Sequence, residues 1–162
     1  MKMSFRWYGS DDKVTLENIR QIPGMEAIVT AVYDVPAGEV WSRESIAALK
    51  KQVEDAGLLF EVIESVPVHE DIKLGRGDCA RYIENYKENI RRVARHGVKC
   101  VCYNFMPVFD WLRTDLARVI PEDGSNSLYF DEKDLGEMGP LEIVRRTAAG
   151  SRGFTLPGWE PE

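Results

Sequence analysis

The chain has 162 residues, of which 44% are hydrophobic and 30% charged, with a formal net charge of −6. This is enough apolar material for one domain with a real core, and the interleaving of acids with bases leaves no basic patch for nucleic acid. No apolar run is long enough to cross a bilayer and the opening MKMSFRWYGSDDK lacks the apolar stretch of a secretory signal, so a cytoplasmic chain without a membrane partner is expected.

A short strand over Met3–Trp7 is followed by a polar break at Gly9–Asp12 and a helix over Thr15–Ile22, ended by Pro23-Gly24. The run AIVTAVY, Ala27–Tyr33, is β-branched and apolar almost throughout, as a strand covered on both faces should be. Ser42 is a fitting N-cap for a helix whose stripe is Ile46, Leu49, Val53 and Ala56, running to Gly57. A third strand, Leu58–Ser65, leads into a long charged loop, VPVHEDIKLGRGD. The helix after it, Cys79–His96, carries Tyr82, Ile83, Tyr86, Ile90, Val93 and Ala94 at helical spacing and is closed by Gly97. A fourth strand spans Val98–Tyr103. Beyond it, Asp123-Gly124-Ser125 reads as the turn of a small hairpin near residues 118–131, and a helix over Leu141–Ala149 follows.

Strands that alternate with helices predict an α/β fold with parallel pairing and right-handed crossovers. Two architectures fit: an open flavodoxin-like sheet, or the first half of a (β/α)8 barrel, four parallel βα units in a single domain over residues 1–162. The first βα connection, RWYGSDDK, has one glycine and no phosphate-cradling pattern, which favours the half-barrel. No HExxH, CxxC pair, Walker loop or GxSxG is present. The three cysteines suggest no disulfide framework. Cys100 and Cys102 share one face of a strand; a metal pair is conceivable there, but two small buried hydrophobes are the expectation.

In parallel α/β folds the site gathers at the carboxyl ends of the strands. Those positions hold Arg6, Trp7 and Tyr8; Tyr33 and Asp34; Glu64, Ser65, His69, Glu70 and Asp71; and Tyr103, Asn104 and Asp110. Arg6 can hold a carboxylate through its fork, or pair with an acid at the barrel mouth. Glu64, Tyr103 and Asn104 can hydrogen-bond hydroxyls. His96, before Gly97, has an ordinary capping explanation, whereas His69 has none and stands out as a proton-transfer or ligating residue. The aromatics Trp41, Phe105, Phe109 and Trp111 are expected to pack.

Five stretches resemble the mannonate dehydratases: FRWYG at 5–9, GEVWS at 38–42, EDAGL at 54–58, ESVPVHEDIK at 64–73 and VCYNFMPVFDWLRTDL at 101–116. The later DGSNSLYFD and SRGFTLPGWE are similar too, so the resemblance runs in order along nearly the whole chain. These lyases remove water from D-mannonate to give 2-dehydro-3-deoxy-D-gluconate in hexuronate (glucuronate) catabolism. The resemblance implies a xylose-isomerase-like TIM barrel and a divalent Mn(II) or Fe(II) acting as Lewis acid, assisting loss of the C3 hydroxyl after proton abstraction at C2. It also implies metal ligands (a cysteine, two histidines and an aspartate) in the second half of the barrel, none of them in this chain, and Cys100 and Cys102 are not substitutes. Carried over by motif, Arg6, Tyr8, Glu64, Tyr103 and Asn104 line the substrate pocket, and His69 is the catalytic candidate. LPGWE resembles the start of a lid or helical insertion before strand five, so the expected partners are D-mannonate and either a C-terminal half or a second copy. Without such a partner the chain is expected to be inactive. The alternative is a non-catalytic half-barrel serving binding or assembly.

Overall fold

The apolar runs form four strands, β1 (Met3–Arg6), β2 (Met25–Thr30), β3 (Leu59–Glu64) and β4 (Cys100–Cys102), which pair parallel in the order β1-β2-β3-β4. That order separates the two architectures. A flavodoxin-like sheet places its second strand outside the first, whereas consecutive strands lying side by side are the staves of a barrel. The computed structural model describes residues 1–105, 113–136 and 142, and the chain divides into two units, Met1–Phe105 and Met106–Glu162.

Helix α1 (Leu16–Arg20) starts at a reciprocal capping box, Thr15 with Asn18. It stops short of Ile22 because the residue before a proline is driven out of the helical region. Helix α2 (Arg43–Asp55) begins at Ser42, whose hydroxyl accepts from the Ser45 amide at 2.9 Å, as expected from the sequence. Strand β2 ends at Thr30 rather than Tyr33, because its partner β3 runs out at Glu64, one residue past the Thr30–Ile63 pair. The long charged loop after β3 contains an unexpected one-turn helix, α3 (Glu70–Leu74), too short to display a periodicity. Helix α4 (Cys79–Arg95) then runs much as its stripe predicted.

The register divides the sheet into two unlike faces. Phe5 stands beside Ile28, and Thr30 beside Ile63 and Val101; Ile28, Thr30 and Ile63 are fully buried. Ile19 of α1, Ile46 and Val53 of α2 and Val93 of α4 join this core, each such side chain contributing roughly 1.5–3 kcal/mol of burial. The opposite face aligns Arg6, Val29, Val62 and Cys100, with Glu64 beside Cys102. None of these six is buried. The strands were expected to be covered on both sides; among the described residues only one side carries a helical layer.

In the second unit, β5 (Asp115–Val119) and β6 (Asn126–Tyr129) pair antiparallel, and a 3-10 turn, Glu132–Leu135, follows. The Arg118 guanidinium stacks over the Tyr129 ring at 4.5 Å. The helix expected over Leu141–Ala149 lies outside the described residues apart from Glu142.

Candidate functional site

At the carboxyl end of β1 the motif FRWYG puts Arg6 on the uncovered face. Its Nη1 lies 3.1 Å from Glu64 Oε2, across β2. The alignment is that of an ion pair without a hydrogen bond, so Nε and Nη1, both buried, donate to no acceptor among the described residues. The guanidinium also lies 5.0 Å from the centroid of the Tyr8 ring, in cation–π range. Tyr8 is largely exposed and stands 6.4 Å, centroid to centroid, from Tyr33 of the β2 tip. Tyr33 Oη donates to the Trp7 carbonyl at 3.1 Å, and Asp12 Oδ2 accepts from the Tyr8 amide at 3.0 Å. Arg6, Tyr8 and Glu64 are thus brought together. Asp12 was read as part of a polar break; its place two residues before Val14, whose amide it also accepts, is the local signal of an Asx turn.

His69 belongs to a second cluster. Contrary to the expectation, it has a capping role: it is the N-cap of α3, its Nδ1 accepting from the Asp71 amide at 3.1 Å. Its ring stacks on Tyr82 with centroids 3.7 Å apart. With Nδ1 an acceptor, the neutral ring carries its proton on Nε2 and can donate but not abstract at that atom. Beneath this stack lies the GEVWS segment. Gly38 has φ +86°, and a β-carbon there would fall 2.5 Å from Tyr82 Cδ1, which explains why glycine stands at that position.

Helix α4 fastens the same segment with side chains one and two turns apart. Asn85 donates to the Gly38 carbonyl at 2.9 Å; Asn89 donates to the Glu39 carbonyl at 2.9 Å and accepts from the Trp41 amide at 2.8 Å; Arg92 donates to the Trp41 carbonyl at 2.7 Å. This satisfies loop polar groups around Trp41, which is buried as expected, and Asn89, which is buried too. The apolar stripe that marks α4 in the sequence does not single out Asn85, Asn89 or Arg92.

Tyr103 does not join Arg6. It lines an apolar groove of about 340 Å³ with Val68, Ile72, Ile83, Tyr86 and Phe105, on the side of β4 where Val101 points toward the helices. Phe105 is half exposed there rather than packed, and Asn104 is half-buried. Burial pushes the Tyr86 phenol upward, and the charge of Tyr103 adds to the shift. Phe109, Asp110 and Trp111 lie outside the described residues.

The expectation of two buried cysteines is corrected: Cys100 is exposed and Cys102 partly so, because they sit on the uncovered face. The Cys102 thiol is pushed up, by burial first and then by Cys100 and Glu64, so it holds its proton. Glu64, the carboxylate nearest Arg6, is already engaged by that cation. This donor set does not fit a divalent ion, and among the described residues no group of three or more His, Cys, Asp or Glu gathers to hold one. Among the same residues no helix is long and apolar enough to cross a membrane.

The chain is matched over residues 1–162 by the family model of D-mannonate dehydratase (UxuA). It is 59% identical to a mannonate dehydratase of Lachnoclostridium phytofermentans over 163 residues, covering 100% of this chain and 46% of that protein. It is 60% identical to one of Thermotoga petrophila, covering 99% of this chain and 44% of that protein. The chain therefore spans just under half the length of these curated relatives. A crystal structure of mannonate dehydratase from Streptococcus suis serotype 2 superposes with a TM-score of 0.83 at 57% identity, over 90% of this chain and 43% of that one. Sequential parallel strands, coverage of under half of each relative and motifs matched from end to end give one conclusion: the chain is the first half of a (β/α)8 barrel and belongs to the D-mannonate dehydratase family.

Proposed function

We propose that this chain supplies the carboxylate-holding wall of a D-mannonate-dehydrating site, a hydro-lyase that converts D-mannonate to 2-dehydro-3-deoxy-D-gluconate and water. The observation that carries the reading is Arg6: a guanidinium at a strand tip, on the uncovered face, whose buried Nε meets no acceptor among the described residues and whose buried Nη1 has only the Glu64 ion pair, without a hydrogen bond. A buried donor left unpaired is costly, and a substrate carboxylate is the acceptor whose geometry matches an arginine fork.

In the reaction the C2 proton leaves with a base, the C3 hydroxyl leaves as water, and the enol that remains tautomerises to the C2 ketone. Holding the C1 carboxylate against Arg6 stabilises the negative charge that spreads onto it as the C2–H bond breaks. Tyr8, below the guanidinium, and Glu64, beside it, are placed to meet substrate hydroxyls. His69, whose Nδ1 is occupied by the Asp71 amide, is assigned as a hydrogen-bond donor through Nε2–H to the departing C3 hydroxyl in the transition state rather than as the base. A divalent Mn(II) or Fe(II), held by donors outside the described residues, would supply Lewis acidity.

Calorimetric titration of the chain with D-mannonate tests the reading. Arg6→Lys loses the fork and should weaken binding about tenfold or more. Equal affinity in the two proteins would refute the assignment. In a turnover assay, the chain with Mn(II) is expected to form no keto-acid until a polypeptide spanning the remainder of a relative's barrel is added; product from the chain alone would show that the cation site has been misplaced.

A second reading, an assembly module, is favoured by the two sheet edges that no described strand pairs. Strands β1 and β4 are the outer strands, and two copies joined β4 to β1 at both seams would complete an eight-strand ring. Light scattering decides: a folded monomer at high concentration excludes that pairing.

A further inference from the structure

The peptide unit joining Trp7 to Tyr8 is held at both of its polar ends by side chains from outside β1. Trp7 N still donates to Val29 O at 2.9 Å, which continues the β1–β2 pairing one residue past the strand. The next groups have no strand partner. The Trp7 carbonyl takes the Tyr33 hydroxyl at 3.1 Å, and the Tyr8 amide is taken by Asp12 Oδ2 at 3.0 Å. Gly9, at φ +92°, turns the chain directly over the Tyr33 ring; a β-carbon there would lie 3.1 Å from Tyr33 Cδ2. The amides of Val14 and Tyr8 hold the Asp12 carboxyl below its ordinary range, so it is a full anion at neutral pH.

We propose that Tyr33 and Asp12 are positioning residues for the sugar-acid carboxylate: by fixing the Trp7–Tyr8 peptide they hold the Tyr8 ring against the Arg6 guanidinium and so keep its fork aimed at the uncovered face. The proposal rests on the reading of Arg6 given above. It extends that reading to two residues which never touch substrate, acting through one peptide plane. Rotating that plane would swing Tyr8 away and leave a flexible side chain where a fixed fork is needed, so recognition would weaken while the core under the opposite face of the sheet stayed intact.

Two readouts test it on the 162-residue chain, with thermal melting recorded for every variant. The first is D-mannonate affinity by calorimetry. Tyr33→Phe, which removes one hydroxyl and keeps the ring, should weaken binding about three- to tenfold. Asp12→Ala should do the same, and Asp12→Asn, which retains an acceptor oxygen, should recover most of the loss. In an Arg6→Lys background Tyr33→Phe should add nothing, because its effect passes through Arg6; an undiminished additional loss would mean that Tyr33 acts elsewhere. The second readout needs no ligand. The Arg6 side-chain protons, stacked over Tyr8, should be ring-current shifted in the NMR spectrum, and the shift should collapse in Tyr33→Phe and Asp12→Ala. Unchanged affinity in those two variants, with wild type binding, overturns the positioning role and leaves Arg6 standing. Absence of D-mannonate binding by wild type overturns the Arg6 reading, and the ring-current shift then decides the positioning role by itself: its persistence in both variants refutes it.

Discussion

Two groups of residues stand at the strand tips, and they differ in how completely their polar atoms are partnered. Around His69 the network is closed apart from the ring's Nε2: Nδ1 caps α3, and the Gly38–Trp41 backbone is taken by Asn85, Asn89 and Arg92. Around Arg6 it is open: buried Nε has no partner among the described residues, and Nη1 has the Glu64 ion pair without a hydrogen bond. A closed network holds a fold together, and an open one is where a ligand completes the structure. Motif and position made His69 the more conspicuous candidate, yet the partner count is what favours the proposal of Arg6 as the recognition residue.

The contrast can be broken from either side. Gly38→Ala forces a positive φ on an L-residue and drives a methyl into Tyr82, so a loss on the order of 3 kcal/mol is expected in urea unfolding. Asn89→Ala strands the Trp41 amide and the Glu39 carbonyl and should cost about 1–3 kcal/mol. His69→Ala removes a cap and a stacked ring, for about 1 kcal/mol, with D-mannonate affinity unchanged. If affinity fell tenfold while stability held, the roles of the two clusters would have to be exchanged. Arg6→Met should do the reverse: stability within about 1 kcal/mol of wild type, since the ion pair lost with half-exposed Glu64 is offset by removal of a buried donor without a hydrogen bond, and carboxylate binding abolished.

The smallest effect concerns pH. Glu61 is held below its ordinary 4.5 by hydrogen bonds from Lys2 and then Lys99, tying together the segments that precede β1 and β4. A carboxyl with a depressed folded-state pKa stabilises the fold above its unfolded pKa, and that contribution disappears as pH falls through the folded value. Glu61→Gln should therefore lower stability slightly in the neutral region, where that contribution is present, and leave it unmoved once the pH is below the folded value, so that the acid limb below pH 4.5 flattens. An unaltered acid limb would place the acid sensitivity in other carboxylates, with Asp12 the next to test.

Much of the architecture could be read from residue pattern alone. The β-branched run after Gly24, the Ser42 cap and the stripe of α4 are local features, each dictated by a period or a cap that no distant residue has to supply. The hairpin turn at Asp123-Gly124 was legible for the same reason, and the motifs FRWYG and ESVPVHEDIK were enough to point to the family. Tertiary structure alone decided the rest. Strand order chose the barrel over the open sheet, because pairing joins segments whose neighbours are set by packing, not by sequence distance. It exposed Cys100, because burial depends on which face receives a helical layer. And it gave His69 to a helix cap while leaving Arg6 with an ion pair but no hydrogen bond for its buried Nε and Nη1, because a side chain's role depends on the partners that the fold brings within about 3 Å of it.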